Sequence, residues 1–273
     1  MLVDLRSEIQ EYYDRGRERD RLDRGAGLLE ALRTTELLQR WLPVAPAVVL
    51  DVGGAAGRYA IPLAAAGYAV HLLDAMPLHV QQAAQASRTA ERPLASVTRA
   101  DARRLPFPDA SADAVLLLGP LYHLPERDDR RTALMEAHRV LRSGGVLVAA
   151  AISRWASTVD GFIAGFLRDP EFATMVAGAL ASGVHRNPTR RQGWFTTAYF
   201  HRPDDLLDEV TAAGFHSDGP VAVEGLAGWA PDLDAMLADP PTRARIMSVV
   251  RATEREPALL GAGSHLLIAG RKS

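Results

Sequence analysis

The stretch Val48-Val49-Leu50-Asp51-Val52-Gly53-Gly54-Ala55-Ala56-Gly57 decides how the rest of this 273-residue chain is read. It sets an apolar run of strand length directly before a turn of glycine and alanine. A second apolar run then closes on Asp74. Strand, small-residue turn, helix and a second strand ending in an acid is how a parallel α/β sheet holds an adenosine. Small side chains let the backbone approach a ligand and let the helix start tight against the strand. The carboxylate at the second strand end can accept both ribose hydroxyls.

The wording of the turn narrows the ligand. A pyrophosphate-binding turn reads G-x-G-x-x-G, whereas here the glycines are Gly53, Gly54 and Gly57, with Ala55 where the middle glycine would stand. Asp51, immediately before the turn, would repel a pyrophosphate and suits the ammonium of a methionine moiety. Of the two adenosine cofactors this geometry accommodates, the residues favour S-adenosylmethionine over a nicotinamide dinucleotide. The nicotinamide reading also lacks a Tyr-x-x-x-Lys pair, because the sole lysine is Lys272.

The bulk properties set outer limits. A chain that is 48% hydrophobic can bury a full core as one domain with an elaboration. Net charge is −2, without a run of Lys and Arg, which argues against a nucleic-acid partner. There are no cysteines, so disulfides, thiolate metal sites and a cysteine nucleophile are excluded. The charged first twenty residues lack the apolar core of a signal peptide, and no run reaches the ~20 apolar residues that span a bilayer. The expectation is a cytoplasmic protein without a membrane partner, monomeric or homodimeric, acting on a small molecule.

Along the chain, residues 5–42 read as two helices, with Leu28, Leu32, Leu38 and Trp41 on one face of the second. Strands then alternate with helices: 48–52, 69–74, about 94–99, 113–118 and 146–152, with helices near 57–66, 78–87 and 127–141. Ser143-Gly144-Gly145 is read as the cap of that last helix. Residues 153–202 show no strand pattern but helical stretches at 162–167 and 172–180. Beyond them come a helix at 203–213, a strand at 221–224, a helix over 236–253 and a final strand at 264–269. Near-continuous apolar strands separated by helices imply an α/β fold with a parallel sheet covered on both faces. The division expected is cap helices at 1–44, a cofactor-binding core at 45–152, a helical cap insert at 153–202, and the rest of the sheet at 203–273.

The spacing Asp51-x-Gly53-x-x-x-Gly57 resembles motif I of the class I S-adenosylmethionine-dependent methyltransferases, usually D/E-x-G-x-G-x-G; Ala55 is the departure. Leu105-Pro106-Phe107-Pro108-Asp109 ahead of the fourth strand resembles the ubiquinone/menaquinone-type branch. The run Glu136-Ala137-His138-Arg139-Val140-Leu141-Arg142-Ser143-Gly144-Gly145 resembles that family's passage from helix into the fifth strand. The resemblance covers roughly residues 45–152. It implies a doubly wound, Rossmann-like, seven-stranded, mostly parallel sheet whose last two strands run antiparallel, with S-adenosylmethionine as cofactor. The contacts it implies are Asp51, Gly53, Gly54, Ala55 and Gly57 in the turn, and Asp74, Ala75 and Met76 at the ribose. Asp101 and Ala102 would meet the adenine, Leu118 and Gly119 the end of the fourth strand, with Tyr13 closing over from the first helix.

The rim after the fourth strand reads Leu118-Gly119-Pro120-Leu121-Tyr122-His123. Gly119 stands where amino-methylases carry the Asp or Asn of D/N-P-P-Y/F, and no acid is there to hold magnesium, so no metal is expected. Tyr122 and His123 are the catalytic candidates, since a neutral imidazole can take a proton from a phenol, enol or ammonium. Tyr12, Trp155, Trp194, Phe195, Tyr199 and His201 are the candidates for an apolar acceptor pocket with polar handles. The activity implied is methyl transfer to oxygen, nitrogen or carbon of a small acceptor such as a secondary metabolite. A quinone methyltransferase and a catalytically silent cofactor-binding module are the alternatives.

Overall fold

The computed structural model describes Glu8, Ile9, residues 21–191 and residues 193–273. Tyr12 and Tyr13 lie outside the described residues. The parallel core is laid down in the order the apolar runs imply: β1 (Val48–Val52), α2 (Ala60–Ala65), β2 (Ala69–Asp74), α3 (Pro77–Thr89), β3 (Ser96–Arg99), β4 (Ala112–Leu117), α4 (Arg127–Val140) and β5 (Leu141–Ser153), preceded by α1 (Gly25–Trp41). After β5 come α5 (Ala156–Ile163), α6 (Pro170–Ser182), β6 (Val184–His185), β7 (Ala198–His201), α7 (Pro203–Ala212), β8 (Phe215–His216), β9 (Val221–Ala222), α8 (Leu233–Ala238), α9 (Pro240–Thr253) and β10 (His265–Lys272).

The main path of the sheet runs β3-β2-β1-β4-β5-β10-β8, seven strands, with β7 on β5, β6 on β7 and β9 on β10 at its margin. Strands β1 to β5 are mutually parallel, and β10 runs antiparallel to β5 from His265↔Ile152 to Arg271↔Val146. This is the expected doubly wound, mostly parallel sheet. Alternate residues of each strand enter opposite cores. Val49, Val70, Leu72, Leu116 and Val148 pack on one face with Leu37 and Leu38 of α1 and Ala60 of α2. Leu50, Leu73, Val115, Leu117 and Leu147 pack on the other against Leu134 and Ala137 of α4 and Leu206 and Val210 of α7. Both faces being covered is why the strands read as near-continuous apolar runs. The chain leaves β1 for β2 on one side while β4 flanks the other, so a crevice opens above the carboxyl end of β1.

The sequence reading changes in four places. Residues 153–202 hold two strands besides the helices: β7 pairs with the end of β5 through Ile152↔Phe200, and β6 pairs with β7. Both are too short to show a period-2 pattern. The helix read over 236–253 is two, broken at Asp239 before Pro240 and Pro241, where the Asp239 carboxylate caps α9 by accepting from the Thr242 amide at 3.1 Å. Ser143-Gly144-Gly145 is not a helix cap. It is an irregularity inside β5, exposed at Ser143 and Gly144 and buried again at Gly145, where the pairing with β4 jumps from Ala112↔Leu141 to Ala114↔Val146.

The fourth change concerns α1. Leu28, Leu32 and Trp41 are only half-buried, and the inward face carries Leu29, Arg33, Thr34, Leu37 and Leu38. Arg33 is fully buried because Glu254, at the end of α9, meets its guanidinium at 2.5 Å, with Arg40 on the other carboxylate oxygen at 2.5 Å. Leu29 packs on Leu233 and Leu237 of α8. This clamp sets α1 across the carboxyl edge of the sheet, and its residues Glu30 and Thr34 look into the crevice.

Candidate active site

A cavity of about 320 Å³ occupies the crevice. Its wall follows the strand ends from Asp74–Met76 and Ala100–Arg103, past the turn Gly53–Ala56 and the Leu118–Gly119 rim, to Ala150 of β5 and His265 and Leu267 of β10. Asp51, Gly53, Gly54, Ala55, Asp74, Ala75, Met76, Asp101, Ala102, Leu118, Gly119, Tyr122 and His123 therefore share one cavity, although they lie across the sheet from β3 to β4. Gly57 is not on its wall; with φ +93° it turns the chain into α2, against Ile61 and Leu72.

The turn is built around two acids. Asp74 accepts from the Ala55 amide at 2.9 Å and the Met76 amide at 2.8 Å, and His79 Nδ1 lies 3.2 Å from its Oδ1. One carboxylate thereby ties the glycine turn to the start of α3 and keeps acceptor capacity on both oxygens. Ala55 adopts φ +47°, a left-handed conformation unusual for alanine, in the place where the motif normally has glycine. A Cβ on Gly53 would lie 2.7 Å from Pro120 Cδ, and one on Gly54 would lie 2.6 Å from Asp51 Oδ2 and 2.9 Å from Leu72 Cγ. Both positions exclude a side chain.

Asp51 is 1% exposed, and neither carboxylate oxygen has a hydrogen-bond partner. Burial, followed by the nearby charge of Asp74, pushes its carboxyl up to about 7. A buried carboxylate left unpartnered on a cavity wall fits a cationic ligand group, and the ammonium of a bound methionine moiety is one. Asp101 is engaged by Arg103, through the amide at 2.9 Å and the guanidinium at 2.6 Å, and Arg103 also reaches Asp129 at 3.1 Å. Glu136 and Arg139 of the run that resembles the family signature staple the Leu105–Asp109 loop: Glu136 accepts from the Leu105 amide at 2.8 Å, and Arg139 donates to Phe107 O at 2.9 Å. That motif is structural.

The 3₁₀ turn Pro120–His123 carries the rim. The Tyr122 hydroxyl donates to Leu118 O at 3.2 Å, and its ring meets His123 edge-on at 4.7 Å. His123 stacks on Phe195 at 6.0 Å. Burial drives the His123 imidazole down to about 4, outweighing a backbone contact with Thr197 and the Asp74 charge.

Of the acceptor-pocket residues expected from sequence, Phe195 alone among those described touches the rim. Trp155 lies against Gly261, and Trp194 packs on Phe172 at 5.0 Å in the core between the cap helices. The Tyr199 ring lies under Arg130 at 3.6 Å, and His201 is fully buried with Nε2 at 3.3 Å from Glu209. None of these four lines the cavity. Aromatic content marked the region without separating packing from lining.

The cavity has instead a polar end that sequence reasoning missed. Glu30 of α1 and His265 of β10 line it beside Arg21, Thr34 and Tyr59. His265 Nδ1 is 2.5 Å from Glu224 Oε1 and 3.6 Å from Glu30 Oε2, while Arg21 binds Glu30 through both nitrogens at 2.5 and 3.0 Å. Burial pulls the His265 ring down, but the two carboxylates more than offset it and hold it up at about 9. Among the described residues this is a cluster with metal-ligand chemistry, its three ligand atoms within 4.8 Å of one another. A divalent ion would have to displace the proton between Nδ1 and Glu224. His79 and Gln82 of α3 are further wall residues not foreseen; their signal was helical spacing just after Asp74.

Residues 50–149 match the family model described as a methyltransferase domain. Among curated proteins, the chain is 36% identical over 120 residues to the O-methyltransferase rstn1 of Aspergillus nomiae, covering 43% of this chain and 52% of that one. It is 37% identical over 133 residues to 27-O-demethylrifamycin SV methyltransferase of Amycolatopsis mediterranei, covering 46% of each. The chain thus spans about half the length of the curated relatives it matches. Among solved structures, a SAM-dependent methyltransferase from Methanosarcina mazei superposes with a TM-score of 0.58 at 17% identity, over 86% of this chain and 96% of that one; the likeness is one of fold. No helix among the described residues is long and apolar enough to cross a membrane.

Proposed function

We propose that this chain, whose residues 50–149 form a class I S-adenosylmethionine-dependent methyltransferase domain, transfers a methyl group to an oxygen of a small organic acceptor. Bound S-adenosylmethionine supplies the reaction with a methyl group on a positively charged sulfur. The observation that carries the reading is Asp51: a carboxylate buried without a partner beside a turn in which Gly53 and Gly54 have no room for a side chain. Oxygen is preferred because two of the curated relatives bear names of O-methylating enzymes. The cavity of about 320 Å³ runs from the cofactor residues to the Glu30–His265 end, so the acceptor has only the part that the cofactor leaves.

The chain's own residues divide the work along the cavity. Asp74 and the Ala55 and Met76 amides it holds form the ribose end, and Ala100–Ala102 form the adenine end. Tyr122 fixes the rim through Leu118 O, and Phe195 covers His123. Burial turns His123 from the base expected on sequence grounds into a neutral, weakly basic ring, suited to orienting an acceptor by hydrogen bonding. Rate then comes from alignment and exclusion of water in a site walled by α1.

Calorimetric titration with S-adenosylmethionine and S-adenosylhomocysteine tests the cofactor half of the reading. Micromolar binding of both is expected. Asp74→Ala removes the ribose acceptor and the tie between turn and α3, so affinity should fall at least about tenfold, the equivalent of one charge-assisted hydrogen bond. Unchanged affinity in a folded Asp74→Ala protein would sink the assignment.

A further inference from the structure

We propose that Arg103, in place of Asp101, faces the purine of the bound cofactor, so that the base is held by its ring nitrogens and flat face while its 6-amino group goes unread. This rests on the methyltransferase reading above and deepens it. It assigns a specificity residue at the adenine end, and it states which purines the site accepts: 6-oxo as readily as 6-amino.

The turn after β3 carries the argument. It runs Asp101-Ala102-Arg103-Arg104 at a strand end that opens on the crevice. A carboxylate there with open lone pairs would accept from the 6-amino group of adenine, the role the resemblance gives Asp101. The turn spends those lone pairs locally. Asp101 Oδ1 accepts from the Arg103 amide at 2.9 Å and from Arg103 Nε at 3.1 Å. Asp101 Oδ2 accepts from Arg103 Nη2 at 2.6 Å and from Nε at 3.2 Å. Both oxygens therefore serve a single residue two positions along the chain. An incoming amine would have to open a forked, charge-assisted pair to gain one hydrogen bond.

The fork is also held from the opposite side. Arg103 Nη1 lies 3.1 Å from Asp129 Oδ2, in the first turn of α4. The main chain closes the turn beneath it, with the Arg104 amide donating to Asp101 O at 3.0 Å and the Leu105 amide to Glu136 at 2.8 Å. The guanidinium is thus spread between two carboxylates from different elements, and Arg103, Asp101 and Asp129 all line the cavity. Arg104 shows the contrast: it is exposed and is not on the cavity wall. Asp129 is what keeps the side chain of Arg103 from following it into solvent.

The chemistry of the two partners then decides what is recognised. A guanidinium donates and does not accept, and the 6-amino group of adenine likewise offers donors. The two do not pair. The ring nitrogens of a purine accept, as does the oxygen of a 6-oxopurine, and a guanidinium also stacks on an aromatic face. A base at this wall is therefore held by donation toward it, with weak discrimination at position 6. Were Asp101 the reader, a 6-oxo group would set an oxygen against a carboxylate. Asp101 and Asp129 are positioning residues for Arg103.

The test is calorimetric titration of the full chain with S-adenosylhomocysteine and with S-inosylhomocysteine, its 6-oxo counterpart. Both should bind, with affinities within about threefold of each other. A carboxylate reading the 6-amino group would instead weaken the 6-oxo ligand by more than about tenfold, the equivalent of one hydrogen bond to a charged acceptor. Arg103→Met releases the lone pairs of Asp101, so the preference for S-adenosylhomocysteine should rise above about tenfold. In Asp101→Asn both ligands should weaken together, their ratio staying within about threefold. A wild type that binds S-inosylhomocysteine more than tenfold more weakly, or a ratio unchanged in Arg103→Met, overturns the proposal. The wild-type ratio decides by itself should Arg103→Met fail to fold. Binding of neither ligand overturns the cofactor reading instead, and this one with it.

Discussion

Gly54 and Ala55 are neighbours in the turn, and the structure requires that moving one methyl group between them have opposite effects. Gly54→Ala places a Cβ 2.6 Å from Asp51 Oδ2 and 2.9 Å from Leu72 Cγ, and both of those side chains are buried. Overpacking of that kind costs about 1–3 kcal/mol. The more restricted unfolded chain returns about 0.4–1 kcal/mol. The net loss is about 1–2 kcal/mol, or about 2–8 °C in Tm for a chain of this size. Ala55→Gly works the other way. Alanine at φ +47° bears a left-handed cost of about 1–2 kcal/mol, which glycine removes while giving back about 0.4–1 kcal/mol of unfolded-state entropy. A gain of about 0.5–1 kcal/mol should result. Thermal unfolding of the two variants against the wild type, each with and without S-adenosylhomocysteine, reads both signs. Gly54→Ala should also weaken the ligand, because the methyl pushes on Asp51. If Gly54→Ala melts with the wild type, or Ala55→Gly melts below it, the geometry of the turn has been misjudged.

Two further outcomes follow from buried charges. Asp51 is held at about 7 against an ordinary 3.8, so the folded chain binds a proton that the unfolded chain has already lost across that window. Its contribution to stability is complete below about pH 4 and is lost as pH rises through about 7; Asp51→Asn, neutral throughout, should flatten that fall in thermal melts between pH 5 and 8, and parallel curves would contradict it. Arg130 meets Glu209 at 2.6 Å, donates to Leu124 O and Pro125 O at 3.0 and 2.8 Å, and covers the Tyr199 ring. Arg130→Met should cost about 3–5 kcal/mol in urea unfolding by leaving Glu209 buried with only His201. The double variant with Glu209→Gln should recover part of that loss, and a double variant no more stable than Arg130→Met would argue that the ion pair is not the cause.

The sheet was legible because parallel strands covered on both faces leave a one-dimensional trace. Val48–Val52, Ala69–Asp74 and the apolar part of β5 are near-continuous apolar runs, and the small-residue turn states where the ligand side lies. The doubly wound, mostly parallel character of the sheet followed from the resemblance those runs carried, while the order β3-β2-β1-β4-β5-β10-β8 is supplied by the structure. What failed had a common cause. The α1 face was assigned by hydrophobicity, yet the inward stripe includes Thr34 and Arg33, and the burial of Arg33 depends on Glu254 more than two hundred residues away. β6 and β7 went unseen because two and four residues cannot establish a period. Ala55 is the motif's departure in sequence, while its positive φ shows that the backbone keeps the glycine geometry without the glycine.

The two histidines show where reading along the chain must stop. His123 was conspicuous because it closes the 3₁₀ turn four residues after Gly119, in the segment where a rim residue is expected. Its local sequence says nothing of Phe195 or of the burial that empties its ring of basicity. His265 sits in a short apolar strand near the end of the chain, a position that reads as packing. Its chemistry is assembled from Glu30 on the first described helix, Glu224 beside β9 and Arg21 ahead of α1. Basicity is a property of the charges around a ring, and those charges converge only when β10 inserts antiparallel beside β5. The most strongly charged corner of the cavity is therefore centred on a residue whose own neighbours in sequence, Ser264 and Leu266, are silent about it, because Glu224 and Glu30 reach it from other elements.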